Sequence, residues 1–195
     1  YAWDVQDKPS DLPSSLDVAL ILNELGVDET TLIVTLLSDS RLQSDEFFNR
    51  ITSEFGKDIQ HMVKNLRWMH DFNLDVNAMT APEQVERLRR MLLAMVEDVR
   101  VVLIKLAFRV QRLRMLSHED EQTRLNIARE TLEIYAPLAN RLGIGQLKWE
   151  LEDLSFRYLE PLTYRRIAKM LEEKREEREQ YIQDAVLDIK NMQIG

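Results

Sequence analysis

The sequence predicts an all-α protein, a helical bundle of roughly nine to eleven helices. Three observations carry this. Leu, Ala, Glu, Arg and Met dominate, while only five Gly and five Pro occur in 195 residues. Apolar residues recur at helical spacing through most of the chain, and no segment alternates convincingly as a strand would. The stretch Glu83–Arg114 is apolar for most of its length, with Leu88, Leu92, Met95 and Val96 in its first half. Val99, Val102, Leu103, Leu106, Val110 and Leu113 follow in its second, with Ala107 small enough for close packing. Both halves are too apolar for a surface helix, so other helices are expected to wrap them. They form either two helices or one long bent one.

The elements follow in order. Tyr1–Ser15, interrupted by Pro9 and Pro13, reads as a loop or helix end. Leu16–Leu25 is a short helix that Gly26 ends with a left-handed cap. Asp28 caps Glu29–Asp39, whose run LIVTLL should be buried. Ser44-Asp45-Glu46 opens a helix that Gly56 ends, and Asp58–Met69 is another. His70–Ala81 loses the periodicity and reads as an exposed loop of about twelve residues. Ser117 with Asp120 suggests a capping box before Arg124–Ala136, and Pro137 should disturb that helix. A turn at Leu142-Gly143-Ile144-Gly145 precedes Gln146–Tyr158. Pro161 opens a last helix with an exposed, charged middle at Lys174–Gln180. Ile167, Met170, Leu171, Tyr181, Ile182, Val186 and Ile189 form its apolar stripe.

Charge and composition narrow the function classes. The net charge is −8, from 26 Lys and Arg against 34 Asp and Glu. Such a surface does not invite nucleic acid as a whole, and no direct nucleic-acid binding is expected. There is no Cys, hence no disulfide and no Cys-ligated zinc. No apolar run reaches the roughly 18 residues a membrane span needs, so no membrane partner is expected and the cytoplasm is the default compartment. The ends read as cut, and the chain is expected to be a piece of a longer protein.

Catalytic apparatus is hard to find in the residues themselves. His61, His70 and His118 have no metal-ligand spacing, and no H-E-x-x-H occurs. No G-x-S-x-G turn, P-loop or G-x-G-x-x-G is present; Gly143-Ile144-Gly145 is a turn signal. Arg87, Arg89, Arg90, Arg109, Arg112 and Arg114 form the densest basic set. Arg109 and Arg112 share a helix face and could meet phosphate. The alternative is salt bridging to the abundant Glu.

Three segments carry a resemblance: MLLAMVEDVRVVLIK from Met91, ETLEIYAPLANRLG from Glu130 and KWELEDLSFRYL from Lys148. They resemble the RelA/SpoT family of (p)ppGpp metabolism, and the likeness runs from about Ser14 to the end. It falls on the N-terminal HD-type domain, which in bifunctional members hydrolyses (p)ppGpp with Mn²⁺. The resemblance implies an HD-domain-like bundle over 1–195, with residues from about 160 leading toward a synthetase domain expected beyond Gly195.

The departures from the family pattern are specific. Ser14 and Ser15 stand where hydrolase-competent relatives have an early His-Pro pair, and Ser38-Asp39 where they have His-Asp. The Glu-Asp pair that polarises the attacking water falls on Leu42 and Gln43. The Asp of the K-L-A-D-R run is Phe108, and the following His-Asn becomes Gln111-Arg112. Of the implied metal-ligand positions Ser14, Ser38, Asp39 and Phe108, only Asp39 keeps its type. A divalent ion needs several converging carboxylate and imidazole ligands, and without the ion a water keeps a pKa near that of bulk. Phe108 is expected to fill the space with packed apolar volume.

The resemblance therefore implies a catalytically inactive pseudo-hydrolase domain, most like that of the family's synthetase-only members, with neither metal nor cofactor of its own. It would pack on and regulate an intramolecular synthetase domain that uses Mg²⁺ with ATP and GTP or GDP. The parent would contact the ribosome through regions beyond this chain. The alternative is a guanine-nucleotide sensor retaining a vestigial pocket at Arg109, Gln111 and Arg112; an active Mn²⁺-dependent hydrolase is the least supported.

Overall fold

The computed structural model describes residues 12–39, 44–71 and 98–193, with the side chains of 45, 68–71, 185 and 187–193 left out of the description. The described residues are all-α. They join into eight continuous helices rather than nine to eleven. Part of the difference lies at Pro137, treated below, and the first half of the central apolar stretch lies outside the described residues.

The chain divides into two compact units, Tyr1–Ser155 and Phe156–Gly195. In the first unit, α1 (Ser15–Glu24) begins at Ser14, whose Oγ accepts from the Asp17 N–H, and Gly26 after it has φ +71°. Only a residue without Cβ adopts that angle cheaply. Asp28 caps α2 (Glu29–Leu37) by accepting from the Thr31 N–H at 2.8 Å. Ser44 caps α3 (Asp45–Phe55), which Gly56 ends at φ +90°. Helix α4 (Lys57–Asp71) outlasts its expected end: His70 and Asp71 are helical, so the loop expected from His70 does not begin there.

Helix α5 (Val99–Met115) is the centre of the first unit. Asp98 before it is extended, at φ −131° and ψ 119°, so no single helix runs unbroken from 83 to 114. Val101, Val102, Ile104, Leu106, Ala107, Val110 and Leu113 are buried on it, and α1, α2 and α4 pack against it. The expectation that other helices wrap the stretch is met for its second half; the first half lies outside the described residues.

Helix α6 (121–141) starts at Asp120, not in a box with Ser117: Asp120 accepts from the Thr123 N–H, while Ser117 lies in a single tight turn at 116–118. Pro137 does not break it. In α geometry the Pro137 ring would collide with the carbonyl four residues back. The helix widens instead at Thr131–Tyr135, where the Ala136 N–H donates to the Thr131 carbonyl five residues earlier. Helix α7 (Gly145–Leu159) follows the turn at Gly143, φ +73°.

Helix α8 (Pro161–Gln193) belongs to the second unit. Its charged middle is exposed, as expected, and is laced by Arg175 with Glu172 and Glu179. Of its apolar stripe, Met170, Leu171, Tyr181 and Ile182 are all more than half exposed.

Candidate functional site

Of the residues singled out in the sequence, Ser38, Asp39, Phe108, Arg109 and Arg112 meet at one cavity of about 320 Å³. Helix α2 ends at Ser38, whose Oγ donates to the Thr35 carbonyl at 2.7 Å, and Asp39 follows with 7% exposure. Helix α5 passes opposite and presents Lys105, Phe108, Arg109 and Arg112, one face at i, i+3, i+4 and i+7. Helix α6 contributes Ile127 and Glu130, and the start of α1 contributes Pro13 and Ser15. Ser14 caps α1 beside the cavity and Gln111 sits on another face of α5; neither is among the described lining residues. Leu42 and Gln43 lie outside the described residues.

Phe108 is half-buried, not packed into the core, and forms part of the cavity wall. The Lys105 Nζ lies 5.6 Å from its ring centroid. That is the range in which a cation is attracted to a ring face. The expected plug of apolar volume is thus one side of an open space.

Arg109, Arg112 and Arg114 of α5 pair with glutamates, as in the salt-bridge alternative. Arg109 donates from both Nη atoms to the two Glu130 oxygens, at 3.0 Å each. Arg112 pairs with Glu119 at 2.5 Å, and the Arg114 Nε donates to Glu150 at 2.8 Å. The Arg109 guanidinium also lies 4.0 Å from the Tyr135 ring centroid. Burial opposes its charge, but Tyr135 and Glu130 outweigh that and hold its pKa above the usual value. Burial pushes the Tyr135 phenol up, and the Glu130 carboxylate adds to the shift against the opposing pull of Arg109.

Sequence reasoning missed Lys105, Glu130 and Ser15 as cavity residues. A single Lys inside the apolar run VVLIKLA was a usable signal, since a charge there must be buried with company. Glu130 gave none, and Ser15 entered only as the neighbour of the implied ligand position Ser14. Ser15 is 6% exposed, and its Oγ has no hydrogen-bond partner among the described residues.

The donor set does not fit a divalent cation. Glu130 gives both oxygens to Arg109, which leaves Asp39 as the other lining carboxylate. Ser38 is a weak ligand and Phe108 is none. Lys105 adds a cation to the lining, and the guanidiniums of Arg109 and Arg112 are paired with Glu130 and Glu119 rather than replaced by free carboxylates. Among the described residues, no three of His, Cys, Asp and Glu are grouped to hold a metal.

A second, more open space of about 950 Å³ is lined by polar residues of α3 and α4 with Asp98 and Arg100. Arg100 bridges two helix caps there, meeting Asp98 at 2.6 Å and Asp28 at 3.0 Å. Its hydrogen bond is the main cause that lowers the Asp98 pKa. Asp28 is lowered first by Thr31 and then by Arg100.

Comparison with known proteins agrees with the segments that carried the resemblance. The HD domain family matches residues 6–145. A GTP pyrophosphokinase of Myxococcus xanthus is 41% identical over 169 residues, covering 87% of this chain and 22% of that protein. A GTP pyrophosphokinase of Escherichia coli K12 is 43% identical over 174 residues, covering 88% and 23%. A probable guanosine-3′,5′-bis(diphosphate) 3′-pyrophosphohydrolase of Synechocystis is 43% identical over 162 residues, covering 83% and 21%. The chain thus spans between a fifth and a quarter of the length of these relatives.

Proposed function

This chain belongs to the HD domain family in its RelA/SpoT branch, and from that premise we propose that it is a catalytically inactive pseudo-hydrolase domain of a (p)ppGpp synthetase. The single observation that carries the proposal is the convergence of Ser38, Asp39 and Phe108 on a cavity whose other charged wall is Lys105, Arg109 and Arg112. A metal-dependent hydrolase needs ligands at those places, and the side chains there disfavour a cation.

The parent protein would transfer pyrophosphate from ATP to GTP or GDP in a separate synthetase domain, as the names of the pyrophosphokinase relatives suggest. That domain would use Mg²⁺ and act in the stringent response. Residues from about 160 would lead toward it, and this chain would pack on it and regulate it. The exposed apolar stripe of α8 supports an intramolecular partner, because water-exposed Met170, Leu171 and Ile182 on one helix gain by being covered. The ribosome would be contacted by regions beyond this chain. Among the described residues no helix is long and apolar enough to cross a membrane, which is compatible with the cytoplasmic site of action proposed here.

Two measurements test this. Incubation of the chain with ppGpp and Mn²⁺ should release no pyrophosphate above the protein-free rate, and a turnover that scales with protein would overturn the inactive reading. In the full-length parent, Met170→Ser with Leu171→Ser should change the rate of pyrophosphate transfer; an unchanged rate would remove the regulatory part.

A further inference from the structure

We infer that α8 is one side of a two-helix seam, and that the helix it takes carries a pair of carboxylates between two apolar clusters. The inference deepens the reading that α8 packs on a partner domain. It rests on that packing and not on its regulatory effect.

Spacing identifies the face. Ile167, Leu171, Lys174, Arg178 and Tyr181 follow one another at steps of four, three, four and three. That alternation keeps a single line of side chains turned toward a neighbouring helix, as in a coiled coil. Met170 and Ile182 flank the same line. Met170, Leu171, Tyr181 and Ile182 are more than half exposed, and Ile167 and Val186 are 41% and 43% exposed. One apolar cluster around Leu171 and another around Ile182 thus stand open to water on one helix face.

Charge says what belongs between them. Lys174 and Arg178 hold the two seam positions at the centre, and both are exposed. Neither makes an ion pair among the described residues. The nearby acids do not serve them. Glu172, Glu173, Glu176, Glu177 and Glu179 lie off the seam, and Glu172 and Glu179 meet Arg175 instead, at 3.4 and 3.3 Å. A charged stretch that is only solvated has no reason to sort its signs by face. Here the cations lie on the seam and the carboxylates off it.

A helix that covers both apolar clusters also covers Lys174 and Arg178. A cation covered without a counter-charge is costly. Carboxylates at the facing positions satisfy both cations, and a basic centre there is repelled. A second copy of this chain is the wrong occupant for the same reason. Parallel pairing in register sets Lys174 against Lys174, and antiparallel pairing about Glu176 sets Lys174 against Arg178.

Fluorescence anisotropy of two labelled synthetic helices, titrated with this chain, tests the inference. Both are about four heptads long with Leu and Ile along the seam; one has Glu and the other Lys at the two central seam positions. The Glu-centred peptide should bind at least about tenfold more tightly than the Lys-centred one, and added salt should narrow the difference. Lys174→Glu with Arg178→Glu should reverse the preference, a result that a misfolded variant could not give. Equal binding of the two peptides, no binding of either, or an unchanged preference in the reversed variant would each overturn the inference. So would dimerisation of the chain, seen by sedimentation velocity and abolished by Met170→Ser with Leu171→Ser, because a second copy would then be the occupant. If neither peptide binds while that serine pair still changes pyrophosphate transfer in the parent, the inference falls and the regulatory packing stands. If the Glu-centred peptide binds selectively and the parent's rate is unaltered by the serine pair, the inference stands and the regulatory part falls.

Discussion

Arg109 and Glu130, 21 residues apart in the chain, meet in a two-pronged pair with both N–O distances at 3.0 Å. The pair ties the middle of α5 to α6 at the residue before the widened turn of Thr131–Tyr135. Tyr135, at the end of that turn, closes over the same guanidinium at 4.0 Å. Carboxylate and ring thus hold one face of a cavity wall from two sides.

Glu130→Ala should be among the more damaging single changes in the first unit. The Arg109 and Glu130 side chains are 11% and 17% exposed, so removing the carboxylate leaves a largely buried guanidinium without its main partner. Breaking such a pair costs about 3–5 kcal/mol. The double replacement Arg109→Met with Glu130→Leu should cost less than Glu130→Ala alone, because it leaves no orphan charge. Urea midpoints of the three proteins decide this; a double variant less stable than Glu130→Ala would show that the pair itself stabilises the fold.

Ser38→His should restore neither Mn²⁺ binding nor hydrolysis. The substitution adds one imidazole beside Asp39 and removes the Ser38 bond to the Thr35 carbonyl. Two adjacent donors do not hold a borderline ion tightly, and the opposite wall still presents Phe108, Lys105 and Arg109. Mn²⁺-dependent release of pyrophosphate from ppGpp by this single variant would show that the metal pocket survives.

Most helices were legible because their ends are chemical signals. Asp28, Ser44, Gly26 and Gly56 stop or start helices through their own side chains or their φ angles, which depend on neighbours in sequence. Pro137 disturbs its helix as expected, but the form of the disturbance, a widening rather than an end, shows only in the i to i−5 bond. The motif positions Ser38, Asp39 and Phe108 could be foreseen to converge, since the resemblance supplied a site for them to share. Nothing local placed Glu130 against Arg109, because no spacing rule links residues on two different helices. The openness around Phe108 was equally hidden: its neighbours Leu106 and Val110 are fully buried, and burial of a helix centre does not tell which of its faces meets a cavity.

Acid should loosen the joint between the caps of α2 and α5. Arg100 holds the Asp98 carboxyl below its usual range, and Thr31 with Arg100 does the same for Asp28. A folded pKa below the unfolded value of about 3.9 means the unfolded chain binds more protons between the two. The stability from these groups is therefore fully present above about pH 4 and is lost as pH falls through the folded values. The Asp28 side chain is 54% exposed, so the effect is small, about 1 kcal/mol or less. Arg100→Met should flatten the stability profile between about pH 4 and pH 2; an acid limb as steep as that of the unmutated chain would assign it to other carboxyls.

Phe108 separates an open cavity from a packed relic. A fully buried Phe costs about 3–5 kcal/mol when cut to Ala. Phe108 is half-buried on a cavity wall, so Phe108→Ala should cost about 1–2 kcal/mol. Phe108→Asp is the sharper probe. In a sealed core the new carboxylate would be desolvated, its folded pKa would rise, and acidification would restore stability as the unfolded chain lost its advantage. In the wall seen here the carboxylate would stand beside Lys105 and Arg109 with cavity space before it. Positive neighbours favour its charged form, so its pKa should not rise, and Phe108→Asp should fall within about 1 kcal/mol of Phe108→Ala at neutral pH. Urea melts at pH 7 and pH 5 measure both quantities. A Phe108→Asp protein several kcal/mol below Phe108→Ala at neutral pH, and recovering at pH 5, would show that the ring seals the old site rather than lining it.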